Sequence, residues 1–365
     1  MLITDVILKH KIKFIGRTYV KDSKLFMNFS GSGIKFSILS NKLIIKLTGT
    51  KYDEINSRPY VSLIIDGNRK DYSISQENYI IDLDLPYGSH IVEVLKRTET
   101  SVSFCAITEI IADSFIDYVD EKNLKIEFYG DSLTCGFGNL SLDKEDSFKT
   151  ETESFLEGYS YLVAKGLNAD YSAICVSGFP VYKSRWNEGF PIDSVADMIS
   201  ISDYSEDMTF DNVIPWDNKK YKPNLIMVNL GANDHSYFTE GMKWIDDLVA
   251  EYGDIKLVEK DENYLKEINN LKIRITKFLD DLRNLYGKDI KIVWCLFEIY
   301  FEDGILLDII KNHVLNYEGN TYFYKISCVN NDRGAAWHPG KIMHEEASIQ
   351  LIDFIKKEVL GGKDL

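Results

Sequence analysis

The sequence predicts two domains: an N-terminal β-sandwich of jelly-roll type over residues 1–119, and a C-terminal α/β domain over 120–365. The second domain is read as three layers (α/β/α) around a parallel sheet. Three observations carry this. The chain has 365 residues, more than one ordinary domain of ~100–200 residues holds. Its first third is a series of short β-branched and aromatic runs at hairpin spacing, with no convincing helix. Past Asp120-Glu121-Lys122-Asn123 strand-like runs alternate with helical stretches, the pattern of a parallel sheet covered on both faces.

Segments 24–29, 34–39 and 42–47 alternate in part and are separated by Ser30-Gly31-Ser32-Gly33 and Ser40-Asn41. Segment 60–65 leads into the hairpin signal Asp66-Gly67-Asn68, and 79–85 is closed by Pro86-Tyr87-Gly88-Ser89. Segments 89–95 and 102–110 bring the series to about seven or eight strands, the number a sandwich needs. In the second half, 124–129, 171–176, 224–230, 291–297 and 321–326 read as strands. Helices are expected near 157–167, 262–286, 304–315 and 340–359, and segments 203–223 and 235–260 read as insertions between core elements. Ligands of such sheets sit at the carboxyl ends of the strands.

Composition narrows the function classes. Apolar residues make up 45 % and charged residues 27 %, enough hydrophobic material for full cores, which excludes disorder for the bulk of the chain. With 42 Lys+Arg against 57 Asp+Glu the net charge is −15, so neither nucleic acid nor an anionic membrane is an expected partner. No run approaches the ~20 apolar residues of a membrane span. Cys105, Cys135, Cys175, Cys295 and Cys328 form neither a paired framework nor a CxxC spacing, which fits a reducing compartment. The start, Met1 to Lys9, has no basic segment, long apolar core or small-residue cleavage site, so a cytoplasmic location is expected.

The chemistry-bearing residues follow the strands. Gly130-Asp131-Ser132-Leu133-Thr134-Cys135-Gly136-Phe137-Gly138 ends the first strand of the second half, where a serine hydroxyl and the backbone N–H groups beside it can face an anion. It is not a dinucleotide fingerprint, because the third glycine would fall on Ser141, and no Gly-rich loop is followed by GK[ST]. No cofactor is expected. Ser177-Gly178 follows the second strand, and Gly231-Ala232-Asn233-Asp234 the third, where an amide suits an oxyanion. Trp337-His338-Pro339-Gly340 precedes the last helix. His344 lies six residues past His338, a gap that matches no metal-ligand spacing, so it is read as packing or capping and no metal is expected.

Taken in order at successive strand ends, Gly-Asp-Ser, Gly, Gly-x-Asn-Asp and His-Pro resemble the four-block signature of the SGNH (GDSL-type) hydrolases. The longer run through Asn139, together with Trp337-His338-Pro339, Ile15-Gly16-Arg17 and the Phe29-Ser30-Gly31-Ser32-Gly33-Ile34 segment, resembles the family-two carbohydrate esterases over essentially the whole chain. The resemblance implies a jelly roll joined to an SGNH domain of flavodoxin-like α/β/α fold that removes acetyl groups from sugars, as acetyl xylan esterases do. It makes Ser132 the nucleophile and His338 the base, with the N–H groups of Ser132 and Gly178 and the side-chain amide of Asn233 as oxyanion donors. Asp131 and Asp234 match positions that hold loops by hydrogen bonds.

Two departures stand out. Where the superfamily places an acid three residues before the histidine, this chain has Ala335. In serine proteases replacing that Asp by its amide costs about 10⁴ in turnover. The resembled family includes Ser–His dyads oriented by a backbone carbonyl, so a dyad is expected, with Asp332 as the other candidate. Pro180 stands where the family often has glycine.

On the substrate side, Trp337 is the first candidate for stacking on a pyranose ring, with Phe179, Tyr182 and Trp186 beside the second block and Trp216 in an insertion. The expected partner is an acetylated carbohydrate; the oligomeric state is left open. Two alternatives remain: a sugar-binding protein with a weak site, and an esterase or acyltransferase for other small esters.

Overall fold

The computed structural model describes residues 1–118, 120–186, 194–203, 214–241, 261–301 and 304–362. Parts of the two expected insertions, 204–213 and 242–260, lie outside the described residues.

The N-terminal domain opens with a helix the sequence reading did not contain, α1 (Ile3–Lys9). Seven residues are too few to show a period, yet Ile3 and Val6 bury one face while Asp5 and Lys9 sit at the ends the helix dipole favours. Nine strands follow: β1 (Lys13–Ile15), β2 (Thr18–Lys21), β3 (Lys24–Met27), β4 (Gly33–Gly49), β5 (Tyr60–Ile65), β6 (Asn68–Ser73), β7 (Tyr79–Lys96), β8 (Cys105–Ile111) and β9 (Ser114–Ile116). They form one antiparallel sheet, ordered β2-β3-β8-β4-β7-β5-β6, with β1 and β9 also on β4.

The sequence splits each of the two long strands in two, and the structure joins the pieces. The β4–β7 register runs from Ser40 opposite Gly88 to Lys42 opposite Asp84, so Leu85-Pro86-Tyr87 bulges out. A bulge tolerates Pro86, which has no N–H to give a ladder. The expected two-sheet sandwich is thus a single sheet that curls about β4. β7 lines one edge of β4 throughout, while the other edge is shared between β1 and β9 on its first half and β8 on its second. Ile34, Phe36, Ile38, Leu43, Ile45 and Leu47 fill the core inside the curl.

The second domain is a five-stranded sheet, every pairing parallel. In chain order its elements are β10 (Lys125–Gly130), α2 (Ser132–Cys135), α3 (Tyr159–Gly166), β11 (Asp170–Cys175), the short pair β12 (Ile201–Asp203) and β13 (Ile214–Pro215), and β14 (Leu225–Asn229). α4 (Ala232–Ser236), α5 (Glu262–Tyr286), β15 (Lys291–Phe297), α6 (Ile305–Leu315), β16 (Thr321–Ile326) and α7 (Lys341–Phe354) follow among the described residues. Strand order is β11-β10-β14-β15-β16. The strands are buried on both faces, which is why they read as near-continuous apolar runs. Ile226, Val228, Ile292 and Trp294 meet α5 and α6; Phe128, Met227, Val293 and Cys295 meet α3 and α7. The chain reverses direction of travel at β10, whose neighbours β11 and β14 lie on opposite sides. That switch point is where such sheets bind ligands.

The domains share a core in which Ile15, Ile64 and Leu95 of the sheet pack with Phe155 and Tyr171. Arg17, fully buried, donates to the Met198 carbonyl at 2.8 Å, the Ile201 carbonyl at 2.5 Å and Glu127 at 3.1 Å. The Tyr171 hydroxyl donates to the Gly31 carbonyl at 2.9 Å. The Ile-Gly-Arg and Phe-Ser-Gly-Ser-Gly segments therefore join the two domains. Among the described residues no helix is long and apolar enough to cross a membrane.

Candidate active site

Four strand-end loops converge at the switch point. Asp131 leaves β10 extended, and its carboxylate accepts from Leu133 N–H at 3.0 Å, so it caps α2. Ser132 is the first residue of that helix. Its hydroxyl lies 2.9 Å from His338 Nε2, although 206 residues separate the two in the chain.

The histidine loop fixes the orientation of the imidazole with Ala335 in place of an acid. Ala336 and Trp337 both have left-handed backbone, φ 49° and 62°, a conformation costing about 1–3 kcal/mol per non-glycine residue. Neighbouring backbone holds them there: Ala335 N–H donates to the Gly138 carbonyl at 3.0 Å, Ala336 N–H to Asp146 at 3.0 Å and Trp337 N–H to Lys144 at 3.1 Å. Gly138 permits the approach, because a Cβ there would stand 2.6 Å from the Ala335 methyl. The result aims the Ala336 carbonyl at His338 Nδ1, 3.1 Å away. With Nδ1–H donating to that carbonyl, Nε2 is left as the acceptor for the serine proton. The Phe137 ring packs on the imidazole, centroids 4.3 Å apart. Loss of hydration, reinforced by the Arg333 charge, holds His338 below its ordinary pKa despite the carbonyls facing it. The ring is therefore neutral, the form a general base requires.

Asp332, the other candidate for the acid, is committed elsewhere. Its carboxylate accepts from Ile342 N–H at 2.8 Å and its carbonyl from Gly340 N–H at 2.9 Å, so it starts α7. Asparagine caps helices about as well. Asp332→Asn is accordingly expected to leave kcat for an aryl acetate within about threefold. A loss near the ~10⁴ of a triad deprived of its acid's charge would contradict the dyad.

The loops after β11 and β14 are equally ordered. Gly178 has φ +80°, which favours glycine, and among the described residues neither its N–H nor that of Ser132 has an acceptor. Asn233, at the start of α4, donates to Asp131 at 3.0 Å and to the Phe179 carbonyl at 3.3 Å. Asp234 accepts from the N–H groups of Val181, Tyr182 and Lys183 at 3.0, 2.8 and 3.1 Å, holding the loop after β11. Burial raises Asp131 to about 7 and Asp234 to about 6, and both serve as acceptors for loop donors. His344 is buried in the role the spacing suggested, its Nδ1 accepting from Tyr159 N–H at 3.2 Å where α3 begins.

The aromatic candidates separate. Trp337 is half-exposed next to the base, with Lys144 Nζ 3.7 Å from its ring centroid. Trp186 is 61 % exposed and flanks Gly178, where an added Cβ would lie 3.4 Å from the Trp186 Cβ. Phe179 is instead buried in the core beside α5, because its side chain continues the apolar face of the sheet. Tyr182 turns its hydroxyl to Glu267 at 3.0 Å. Trp216 is buried beside Arg17. These three take packing roles.

Sequence reasoning missed Phe137 and Arg333, whose guanidinium donates to the Trp337 carbonyl at 3.0 Å. It also missed Glu99, which enters from the N-terminal domain and accepts from both Ser177 N–H and its hydroxyl. The one signal for Glu99 was a polar run, Lys96-Arg97-Thr98-Glu99, directly after an apolar strand. Glu99, Cys135 and Glu153 are the one group of metal-ligand type among the described residues. Donors from Ser101 and Ser177 already occupy the Glu99 oxygens, so the group reads as a hydrogen-bonded cluster.

Comparison with known proteins finds relatives for both domains. Residues 126–359 match the model of the GDSL-like lipases/acylhydrolases, and residues 14–115 that of the carbohydrate esterase 2 N-terminal domain. The cellulase/esterase CelE of Acetivibrio thermocellus is 28 % identical over 213 residues, 57 % of this chain and 24 % of that protein. An acetylxylan esterase / glucomannan deacetylase of Cellvibrio japonicus is 26 % identical over 235 residues, 62 % of each. The chain thus spans less than two thirds of the length of these curated relatives. A family two carbohydrate esterase from Clostridium thermocellum, solved in complex with cellohexaose, shares the fold. Its TM-score is 0.77 at 21 % identity, covering 95 % of this chain and 99 % of that one.

Proposed function

The chain belongs to the GDSL-like lipase/acylhydrolase family, and from that premise we propose that it is a carbohydrate esterase removing O-acetyl groups from oligo- or polysaccharides. The observation that carries this is the 2.9 Å contact between Ser132 and His338, with Ala336 behind the ring and free N–H donors beside the serine. His338 Nε2 takes the Ser132 proton as Oγ attacks the acetyl carbonyl. The oxyanion is held by the N–H groups of Ser132 and Gly178 and by Asn233, whose longer, 3.3 Å contact to Phe179 is the one it exchanges. His338 then protonates the departing sugar oxygen. In the second half it takes a proton from water, whose oxygen attacks acetyl-Ser132, and acetate leaves as the proton returns to Oγ.

Two relatives support an acetylated carbohydrate as the acyl donor by name, and the carbohydrate esterase 2 N-terminal model matches residues 14–115. We keep the boundary at 119/120 and read the curled sheet as a jelly roll. Trp337 and Trp186 are the proposed sugar platforms. Five free cysteines, four of them buried, support the cytoplasmic reading. Trp337→Ala tests the sugar role: KM for an acetylated oligosaccharide should rise about tenfold, the ~1–1.5 kcal/mol of a lost aromatic contact, and KM for an aryl acetate should not. Equal changes for both substrates would remove the stacking role.

A further inference from the structure

We infer that Glu99, a carboxylate supplied by the N-terminal domain, is a positioning residue for the oxyanion hole, fixing the Gly178 N–H through Ser177. The inference rests on the serine-esterase reading above and adds a role for the attached domain. Glu99 is 1 % exposed and reaches the loop after β11 with two legs. Its Oε2 accepts from Ser177 N–H at 2.9 Å and its Oε1 from the Ser177 hydroxyl at 2.6 Å. Holding both the N–H and the side chain of Ser177 fixes that residue's φ. One backbone torsion, its ψ, then remains between the clamp and the Gly178 N–H.

The clamp is itself rigid. Lys96 Nζ, fully buried, donates to the carbonyls of Asn28, Thr98 and Glu99 at 2.9, 2.9 and 2.6 Å, locking the turn that carries Glu99. Glu99 N–H donates to Glu153 at 3.0 Å, and the Ser101 hydroxyl to Glu99 Oε2 at 2.5 Å. Charge-assisted bonds of this kind are about twice as strong as neutral ones, and a buried carboxylate that lost them would be left uncompensated. A sheet domain far from the reacting atoms in sequence thereby sets where a catalytic N–H points.

The test uses the full chain and four proteins: wild type, Glu99→Gln, Ser177→Ala and Arg69→Gln. The last breaks a different set of domain-to-domain bonds, Arg69 with Glu157 at 2.8 Å and with Ser154 at 3.2 Å, and neither Arg69 nor these partners bonds to Ser177. Glutamine has one acceptor oxygen, so one of the two charge-assisted legs becomes a neutral amide donation to the Ser177 hydroxyl and the clamp weakens. Glu99→Gln should lower kcat for an aryl acetate by about 10–100-fold with KM nearly unchanged, the scale of a misplaced oxyanion donor. Affinity for a boronic acid, which forms a tetrahedral anion on Ser132, should fall by the same factor. Arg69→Gln should move neither. Ser177→Ala, which removes one leg, should shift both in the same direction by less, and it carries the test where Glu99→Gln does not fold. Amide hydrogen exchange at 177–179 should quicken in Glu99→Gln but not around Ser132. Unaltered exchange, unaltered kcat, or an equal effect of Arg69→Gln would overturn the inference. A wild type inert on every ester would instead remove the esterase reading, and the exchange measurement would still decide the clamp.

Discussion

Ser132→Ala and His338→Ala should each lower kcat for a small aryl acetate by at least about 10⁴-fold, and the double variant should be no worse than either alone. The two side chains act as one unit: the hydroxyl is a poor nucleophile until Nε2, 2.9 Å away, takes its proton. In subtilisin, removing serine or histidine singly costs about as much as removing the whole triad, ~10⁶, with ~10³–10⁴ over water retained by the oxyanion hole and binding. The same residual is expected here, because neither substitution touches Gly178 or Asn233. Steady-state rates on the three variants, each with a matched thermal midpoint, check it. Additive losses would mean that serine and histidine serve separate steps.

Asn233→Ala should lower kcat by about 10²–10³-fold while KM stays near its original value, since the amide meets full negative charge only in the tetrahedral intermediate. The residue also donates to Asp131 and to the Phe179 carbonyl, so some loss of stability is expected, of order 1 kcal/mol for each of the two buried bonds. The catalytic loss corresponds to about 2.7–4 kcal/mol. This disproportion separates the roles. A fall in kcat no larger than the stability loss predicts would leave Asn233 as a brace for Asp131.

Much of this arrangement was legible in the sequence. The parallel sheet could be read because both faces of each strand are covered, which leaves runs such as 291–297 nearly all apolar. The convergence of Ser132, Asn233 and His338 at one end of the sheet could be read because strand ends are where such folds collect ligands. The curled single sheet was hidden: Pro86 and Ser40-Asn41 look like strand breaks, and only pairing shows that the chain bulges and continues. Ala336 was hidden for a different reason. Its role belongs to a carbonyl and to a left-handed backbone forced by Lys144 and Asp146, and no side chain reports it. Phe179 and Tyr182 were candidates for ring stacking because they follow the second block; Phe179 lies in the core and the Tyr182 hydroxyl turns to Glu267. Glu99 could not be found from spacing, because its partner lies 78 residues away in the other domain.

The measurement that bears most directly on the account is acetate release from acetylated xylan and glucomannan oligosaccharides by wild type and Ser132→Ala. The dyad esterase predicts steady release by the wild type and none above background by the variant. Hydrolysis of aryl acetates without release from any acetylated oligosaccharide would contradict the carbohydrate assignment, and release surviving in Ser132→Ala would contradict the acyl-enzyme itself.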